Sequence, residues 1–295
     1  MEQKNPLGIF LNQDAIADRV LERLTKDVKT VLKVADEYTI ITDITVPNTP
    51  DGLEISFHTE TQDLAFEKPE LAETPVQKRI KQLKVEDRLK QWEVRLGVSD
   101  EALENKGTSA QNLMNATSAG KAFARAMNAE GLTNMYAALA GTPVGVAWNL
   151  ATNAQIEMDI ANRLDALDDE GFTGNKILMN RLQVARLNHT LNVVMFGGQG
   201  IKVSEWLSDN HQLELTRVKR INYKNNNGTL INLFNPTGQV LIFEKEAYSV
   251  FTQNPMTTEV VRKPEIGGWV AYMRKKFKTT PVQTEACQKL IGINL

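Results

Sequence analysis

Apolar residues recur at helical spacing near the start of the chain. Over residues 12–34, Ile16, Val20, Leu24, Val28, Val31 and Leu32 recur at helical spacing between charged positions, the mark of an amphipathic helix. A lone amphipathic arm at a terminus either packs on its own domain or lies on a neighbour. The β-branched run at residues 38–46 predicts a strand, which Pro47, Pro50 and Gly52 then break. Leu53, Ile55 and Phe57 alternate with Glu54, Ser56 and His58, the period of a half-exposed strand. Trp92, Val94, Leu96 and Val98 alternate in the same way. Between these runs lies a long polar excursion. Its stretch 76–90 fits either a helix (Val76, Ile80, Leu83) or a strand (Leu83, Val85), and continuity with the alternation after Trp92 favours the strand.

Residues 98–103 read as a strand end turning into a short helix. Thr108 or Ser109 can cap a long helix with the stripe Leu113, Ala116, Phe123, Met127, Met135 and Leu139. Gly120 and Gly131 weaken that helix by roughly 1 kcal/mol each, which allows a kink or an end near Gly131. Gly141, Pro143 and Gly145 close the region. A second unit follows: a helix over 153–169 (Ile156, Ile160, Leu164, Leu167) ended by Gly171, a buried strand at 176–179, and a helix over 181–189 capped by Asn180. After it short strands are expected, with turns at Gly197-Gly198, Asn225–Gly228 and Pro236-Thr237-Gly238. From Gln239 the chain alternates again, at Leu241 and Phe243, then Val260, Trp269, Ala271 and Met273. There is no internal repeat and no low-complexity linker.

Charge changes the picture in one place. Residues 51–75 carry seven acids (Asp51, Glu54, Glu60, Asp63, Glu67, Glu70, Glu73) against one base, Lys68. Residues 76–95 carry seven bases against three acids. Two such limbs can pair as a hairpin through cross-strand attraction. A hairpin this polar cannot bury itself in its own core and should project, either as a solvated surface or as an interaction arm. A second basic run, Arg262, Lys263, Arg274, Lys275, Lys276 and Lys278, meets only Glu265 along its own length.

Composition sets bounds. The 295 residues suit two modest domains, and a 42% hydrophobic share with 24% charged residues supports a globular core. Nothing in a net charge of -2 predicts a protein held to nucleic acid mainly by charge. The one cysteine, Cys287, excludes intramolecular disulfides and multi-cysteine metal sites, and fits folding in a reducing compartment. The first ten residues lack a basic stretch followed by an apolar block, so no signal peptide is read. Without one, the glycosylation-type triplets at Asn115, Asn188 and Asn227 carry no weight. No run of about 18 apolar residues spans a membrane.

Candidate chemistry is thin. His58, His189 and His211 are far apart, and none has a second ligand at helical spacing. Cys287 has no histidine following it to act as base. Gly197-Gly198-Gln199-Gly200-Ile201-Lys202 lacks the spacing of a phosphate loop and reads as a turn. Asp165, Asp168, Asp169 and Glu170 lie at a helix end without a glycine-centred calcium loop, and read as a solvated terminus. No enzyme activity and no cofactor is expected.

The order of parts resembles a known family. Residues 92–103 (Trp-Glu-Val-Arg-Leu-Gly-Val-Ser-Asp-Glu-Ala-Leu) look like a strand returning from an extended loop into the turn before a spine helix. Residues 159–167, then Gly171-Phe172 and residues 176–180, look like the helix, turn and strand of an axial domain. Glu244–Tyr248 and the strands from Val260 to Met273 look like a closing section. In this order they resemble the major capsid proteins of tailed bacteriophages, whose fold encapsulins and the herpesvirus capsid floor share.

The resemblance implies an α+β fold with five parts: an N-terminal arm (1–37), a strand and extended β-hairpin loop (38–98), a peripheral domain with a long spine helix (99–148), an axial α/β domain (149–240), and return strands (241–295). It implies a shell subunit that self-assembles into hexamers and pentamers around a double-stranded DNA genome without sequence-specific binding. The expected location is the virion, with the host cytoplasm during assembly and no membrane. Portal, decoration and separate scaffolding proteins are the implied partners, since the arm helix starts only about a dozen residues after Met1. The alternative is an encapsulin-type compartment enclosing cargo enzyme. Some family members cross-link a loop lysine to a neighbour's asparagine, and one lysine, Lys68, does not establish such a link here. The expected inter-subunit contact sets Glu54, Glu60, Asp63, Glu67, Glu70 and Glu73 against Arg262, Lys263, Arg274, Lys275 and Lys276 of an adjacent subunit.

Overall fold

The computed structural model describes residues 13–49, 54–59, 82–99, 109–194, 202–224, 229–263, 265 and 268–293. The chain divides into two compact units, each assembled from three stretches of sequence. The first takes residues up to Ile40, Lys90–Asn128 and Gln253–Phe277. The second takes Ile41–Leu89, Ala129–Thr252 and Lys278 onward. Neither unit is contiguous in sequence, because late strands return to early ones.

The first unit is built on helix α1 (Gln13–Tyr38), strand β4 (Lys90–Ser99) and most of helix α3 (Ser109–Ala137). It also holds the adjoining lengths of β11 (Tyr248–Lys263) and β12 (Gly268–Pro281). β4 and β12 run antiparallel in unbroken register from Gly268↔Ser99 to Phe277↔Lys90. One face of that ladder carries Leu96, Ala271 and Met273, which pack with Val31 and Ala35 of α1 and with Ala116, Ala119 and Phe123 of α3. Trp92 stacks on Phe277 on the same face, with ring centroids 5.4 Å apart and planes at 12°.

Within this unit α3 runs unbroken through Gly120, and it continues past Gly131 to Ala137, so the expected kink or end is absent. The reason is packing. A Cβ on Gly120 would stand 2.7 Å from the Val31 carbonyl oxygen and 2.8 Å from the Val34 Cβ. Glycine is what lets α1 lie against α3, and close burial outweighs its poor helix propensity.

The second unit opens with a correction. Residues 38–46 are not a strand: α1 extends to Tyr38, Ile41–Ile44 form the helical turn α2, and pairing begins only in β1 (Val46–Asn48), parallel to the start of β11. Ile41 and Ile44 bury one face of that turn, and the Thr45 hydroxyl donates to the Ile41 carbonyl at 2.6 Å. Just before it, in the first unit, Asn128 accepts from the Ile40 N–H and donates to the Tyr38 carbonyl, both at 2.9 Å. Specific side-chain partners thus override β propensity.

The core of this unit is a five-stranded sheet ordered β5 (Thr142–Pro143), β13 (Cys287–Ile291), β10 (Gln239–Phe243), β6 (Lys176–Asn180), β7 (Glu214–Val218). β10 is antiparallel to both neighbours, and its run Val240–Phe243 is buried on both faces. Such a strand reads as a continuous apolar run. Helices α4 (Asn153–Asp169), α5 (Arg181–Val194) and α6 (Val203–His211) pack with this sheet through Ile156, Ile160, Leu167, Val184, Leu187, Trp206 and Leu207.

α4 starts on a Thr152–Gln155 capping box, which the sequence reading did not name, and is followed, as that reading expects, by Gly171, at φ 79°. α6 is a helix in the stretch after 181–189, where short strands were expected. Its Val203, Trp206 and Leu207 fall at helical spacing and are buried, and Gln212 ends it in the left-handed region at φ 54°. Two further ladders lie in this unit: β2 (Glu54–Thr59) with β3 (Gln82–Arg88), and β8 (Ile221–Lys224) with β9 (Leu230–Phe234). The β2–β3 ladder is the base of the expected hairpin, and it settles residues 82–88 as strand. The turns at 197–198 and 225–228, the excursion 60–81 and the short helix expected after Ser99 lie outside the described residues.

Candidate inter-subunit surface

The basic residues near the C-terminus sit on the β11–β12 region of the first unit, and strand alternation sorts them onto two faces. Ala271 and Met273 point to the helices, so Tyr272, Arg274 and Lys276 point away. Lys263 joins that outward face, its ammonium 5.8 Å from the centre of the Tyr272 ring. Arg262 instead lies over Trp269 at 5.9 Å, and Lys275 sits opposite Trp92, both on the helix-facing side. The five cations expected to form one contact face are therefore divided three to two.

The outward face is also less basic than its own sequence suggests. Arg274 donates to Glu93 of β4 and to Glu259 of β11, each at 2.8 Å, and so bridges both neighbouring strands. Arg95 reaches the same Glu93 carboxylate at 2.9 Å. The Arg274 guanidinium, then that of Arg95, holds the Glu93 carboxyl below the usual carboxylate range. Hydrogen bonding to Tyr272 raises the Lys263 ammonium above its usual value, so it is cationic at any physiological pH. Arg95, Arg274 and Lys263 all lie within 6 Å of the Tyr272 ring centre, at 5.2, 5.7 and 5.8 Å. These ion pairs are exposed, and screening by solvent keeps each of them weak. Among the described residues no carboxylate lies within ion-pair distance of Lys263 or Lys276, and these two remain the cations available to a partner.

Sequence reading missed Tyr272, Arg95, Glu93 and Glu259. The alternation of Tyr272 with Arg274 and Lys276 was visible, but the partners come from other strands, and only register reveals them. Of the six acids expected opposite these cations, Glu54 is in β2, opposite Arg88. Glu60, Asp63, Glu67, Glu70 and Glu73 lie outside the described residues.

Elsewhere the ionisable groups are set for packing. Cys287 is buried, and burial pushes its thiol up to about 12, away from the reactive thiolate. His211 packs edge-on against Trp206 at 5.1 Å, and burial lowers its pKa. Asp165, Asp168, Asp169 and Glu170 are exposed at the end of α4. Among the described residues no cluster of histidine, cysteine and carboxylate side chains could hold a metal ion, and no helix is long and apolar enough to cross a membrane.

No protein-family model and no curated protein matches the sequence. Solved structures do match the fold. A virus-like particle from Pyrococcus furiosus superposes with a TM-score of 0.62 at 12% identity, over 90% of this chain and 98% of that one. A phage-related protein from Bordetella bronchiseptica gives 0.63 at 11% identity, over 90% and 96%. The capsid of the cyanophage P-SCSP1u gives 0.57 at 12% identity, over 87% and 89%. The chain therefore has the α+β fold of tailed-phage capsid proteins.

Proposed function

We propose that this chain is a shell subunit, a major capsid protein that self-assembles into hexamers and pentamers around double-stranded DNA. The observation that supports the reading best is two-way coverage. Capsid and virus-like-particle chains match over 87–90% of this chain and 89–98% of their own length. Individual contacts in such a shell can be weak, because each subunit has many neighbours and avidity multiplies them. Interfaces on the order of 2,000–5,000 Å² per obligate pair are expected. A mildly acidic subunit also suits a shell that must hold DNA without gripping it.

Within that reading, the acidic limb 51–75 of one subunit meets the outward face of the next at Lys263, Lys276 and Arg274. Such pairs set register and specificity more than affinity. Reversing Lys263 and Lys276 together should abolish assembly while the circular dichroism and melting temperature of the subunit stay unchanged. Normal particles from that double variant would remove the limb from the contact. Arg274 is the wrong residue for this test, because its reversal also breaks the bridge to Glu93 and Glu259 within one subunit.

The shell itself is tested by sedimentation. The purified chain should run as large discrete assemblies, and a 33.0 kDa species at every concentration would refute the proposal. A second reading, a compartment around cargo protein, draws support from the virus-like particle among the structural neighbours. Nuclease-protected DNA in the particles separates the two.

A further inference from the structure

β4 is an end strand of its sheet. β12 pairs along one edge in unbroken register, and no strand among the described residues pairs along the other. Long unpaired edges template the addition of another strand, and proteins blunt them with proline or bulges. β4 has ten residues, no proline and no bulge in its register with β12. Beside it lies an open groove of about 350 Å³, bounded by Val94 to Gly97 and by the small side chains Ser118, Ala119 and Ala122 of α3. Gly97 is exposed, and a Cβ placed on it would meet no atom within 4 Å. A glycine inside a strand often marks the place where another backbone comes close.

The strand is also complementary to itself. Glu93 and Arg95 lie on the Tyr272 side, and Trp92, Val94 and Leu96 on the helix side. When two copies of β4 run antiparallel with Val94 opposite Val94, Glu93 of each faces Arg95 of the other. On the helix side Trp92 then faces Leu96, and Gln91 faces Gly97 on the other. The neighbouring two-fold registers are worse. Centring on Glu93 sets two carboxylates directly opposite each other, and centring on Arg95 sets two guanidiniums so. Like charges placed in this way destabilise a pair of strands.

We propose that β4 is a self-association edge, at which a second copy of the chain adds its own β4, antiparallel and centred on Val94. The contact is isologous, so two identical Glu93–Arg95 pairs form and the two sheets join edge to edge. Arg95 is exposed and uses its Nε on the Glu93 of its own strand, which leaves the far side of the guanidinium for the partner's carboxylate. Main-chain hydrogen bonds supply affinity in such strand addition, and the paired charges select the register. The small residues of the α3 wall leave room for the second copy. Such pairing needs no shell, and it stands or falls apart from the shell reading above.

The test is an oxidative cross-link between two single variants of the full chain, Gln91→Cys and Gly97→Cys, mixed in solution. Both positions are exposed, and Cys287, 3% exposed, stays silent. The expected result is a reducible band at twice the 33.0 kDa chain mass from the mixture, and at most a trace from either variant alone. Arg95→Glu introduced into both variants should cut that band by about tenfold or more, because it sets like charges opposite each other twice. If either cysteine variant fails to fold, Val94→Cys replaces the pair, since it meets its own copy and gives the band unmixed. Folded variants without the band overturn the pairing. A band as strong from either variant of the pair alone, or one indifferent to Arg95→Glu, overturns the register. Particles without the band sink this contact alone, and the band without particles sinks the shell reading alone.

Discussion

At the scale of single residues, close contacts decide what propensity leaves open. Gly120 looked like a weak point in a helix and is instead a contact surface. Replacing it with alanine gains about 1 kcal/mol of helix propensity. The added methyl must then displace the Val31 carbonyl oxygen, which is backbone and cannot swing aside. Overpacking of this kind costs about 1–3 kcal/mol. Gly120→Ala should therefore lower unfolding stability in urea by up to about 2 kcal/mol, whereas a stabilised variant would mean that α1 does not sit on α3.

Cys287 behaves in the opposite sense to a reactive thiol. With its pKa pushed up to about 12, only about one molecule in 10⁴ is thiolate at pH 8, against roughly a quarter for a free thiol near 8.5. Alkylation by iodoacetamide at pH 8 should run on the order of 10³-fold slower than in urea-unfolded protein. The same shift makes folding pH-dependent. The folded state keeps a proton that the unfolded state loses, so this contribution is intact below about pH 8.5 and is lost as pH climbs towards 12.

At the scale of elements, the C-terminal end of α3 shows how late sequence completes early structure. Its last carbonyls need partners. The Asn134 carbonyl accepts from the Ala138 N–H at 3.1 Å. The Met135 carbonyl accepts from the Tyr248 hydroxyl at 3.0 Å, and the Tyr136 carbonyl from the Lys289 ammonium at 2.6 Å. Tyr248 and Lys289 stand 113 and 153 residues downstream of the carbonyls they satisfy, so no local signal in the sequence could announce them. Tyr248→Phe should cost about 1–3 kcal/mol, the penalty for leaving a buried carbonyl unpaired, and its melting curve should stay a single transition. A neutral substitution would show that water reaches Met135.

Legibility at this scale followed the range of the interactions. α1, α4, β4 and β6 were readable because their periodicity, caps and stops are local. The segment 38–46 was misread because Asn128, nearly 90 residues away, fixes the backbone that its β-branched residues follow. α6 was missed because nine residues give few helical repeats. The basic face was half legible: the cations could be counted, but their division between two sides and the carboxylates of Glu93 and Glu259 depend on strand register.

At the scale of the whole molecule, the likeness to capsid chains covers most of this chain and of those it matches. Glu93, Arg95, Glu259 and Arg274 are paired within and across the strands of the first unit, and Cys287 is buried with its thiol protonated. The exposed charges of the first unit and the open edge of β4 are the places where one copy could hold another. Negative-stain electron microscopy of the purified full-length chain tests this most directly. Uniform closed particles or capsomer rings are the expected result, and a field of dispersed single subunits at high concentration would contradict it.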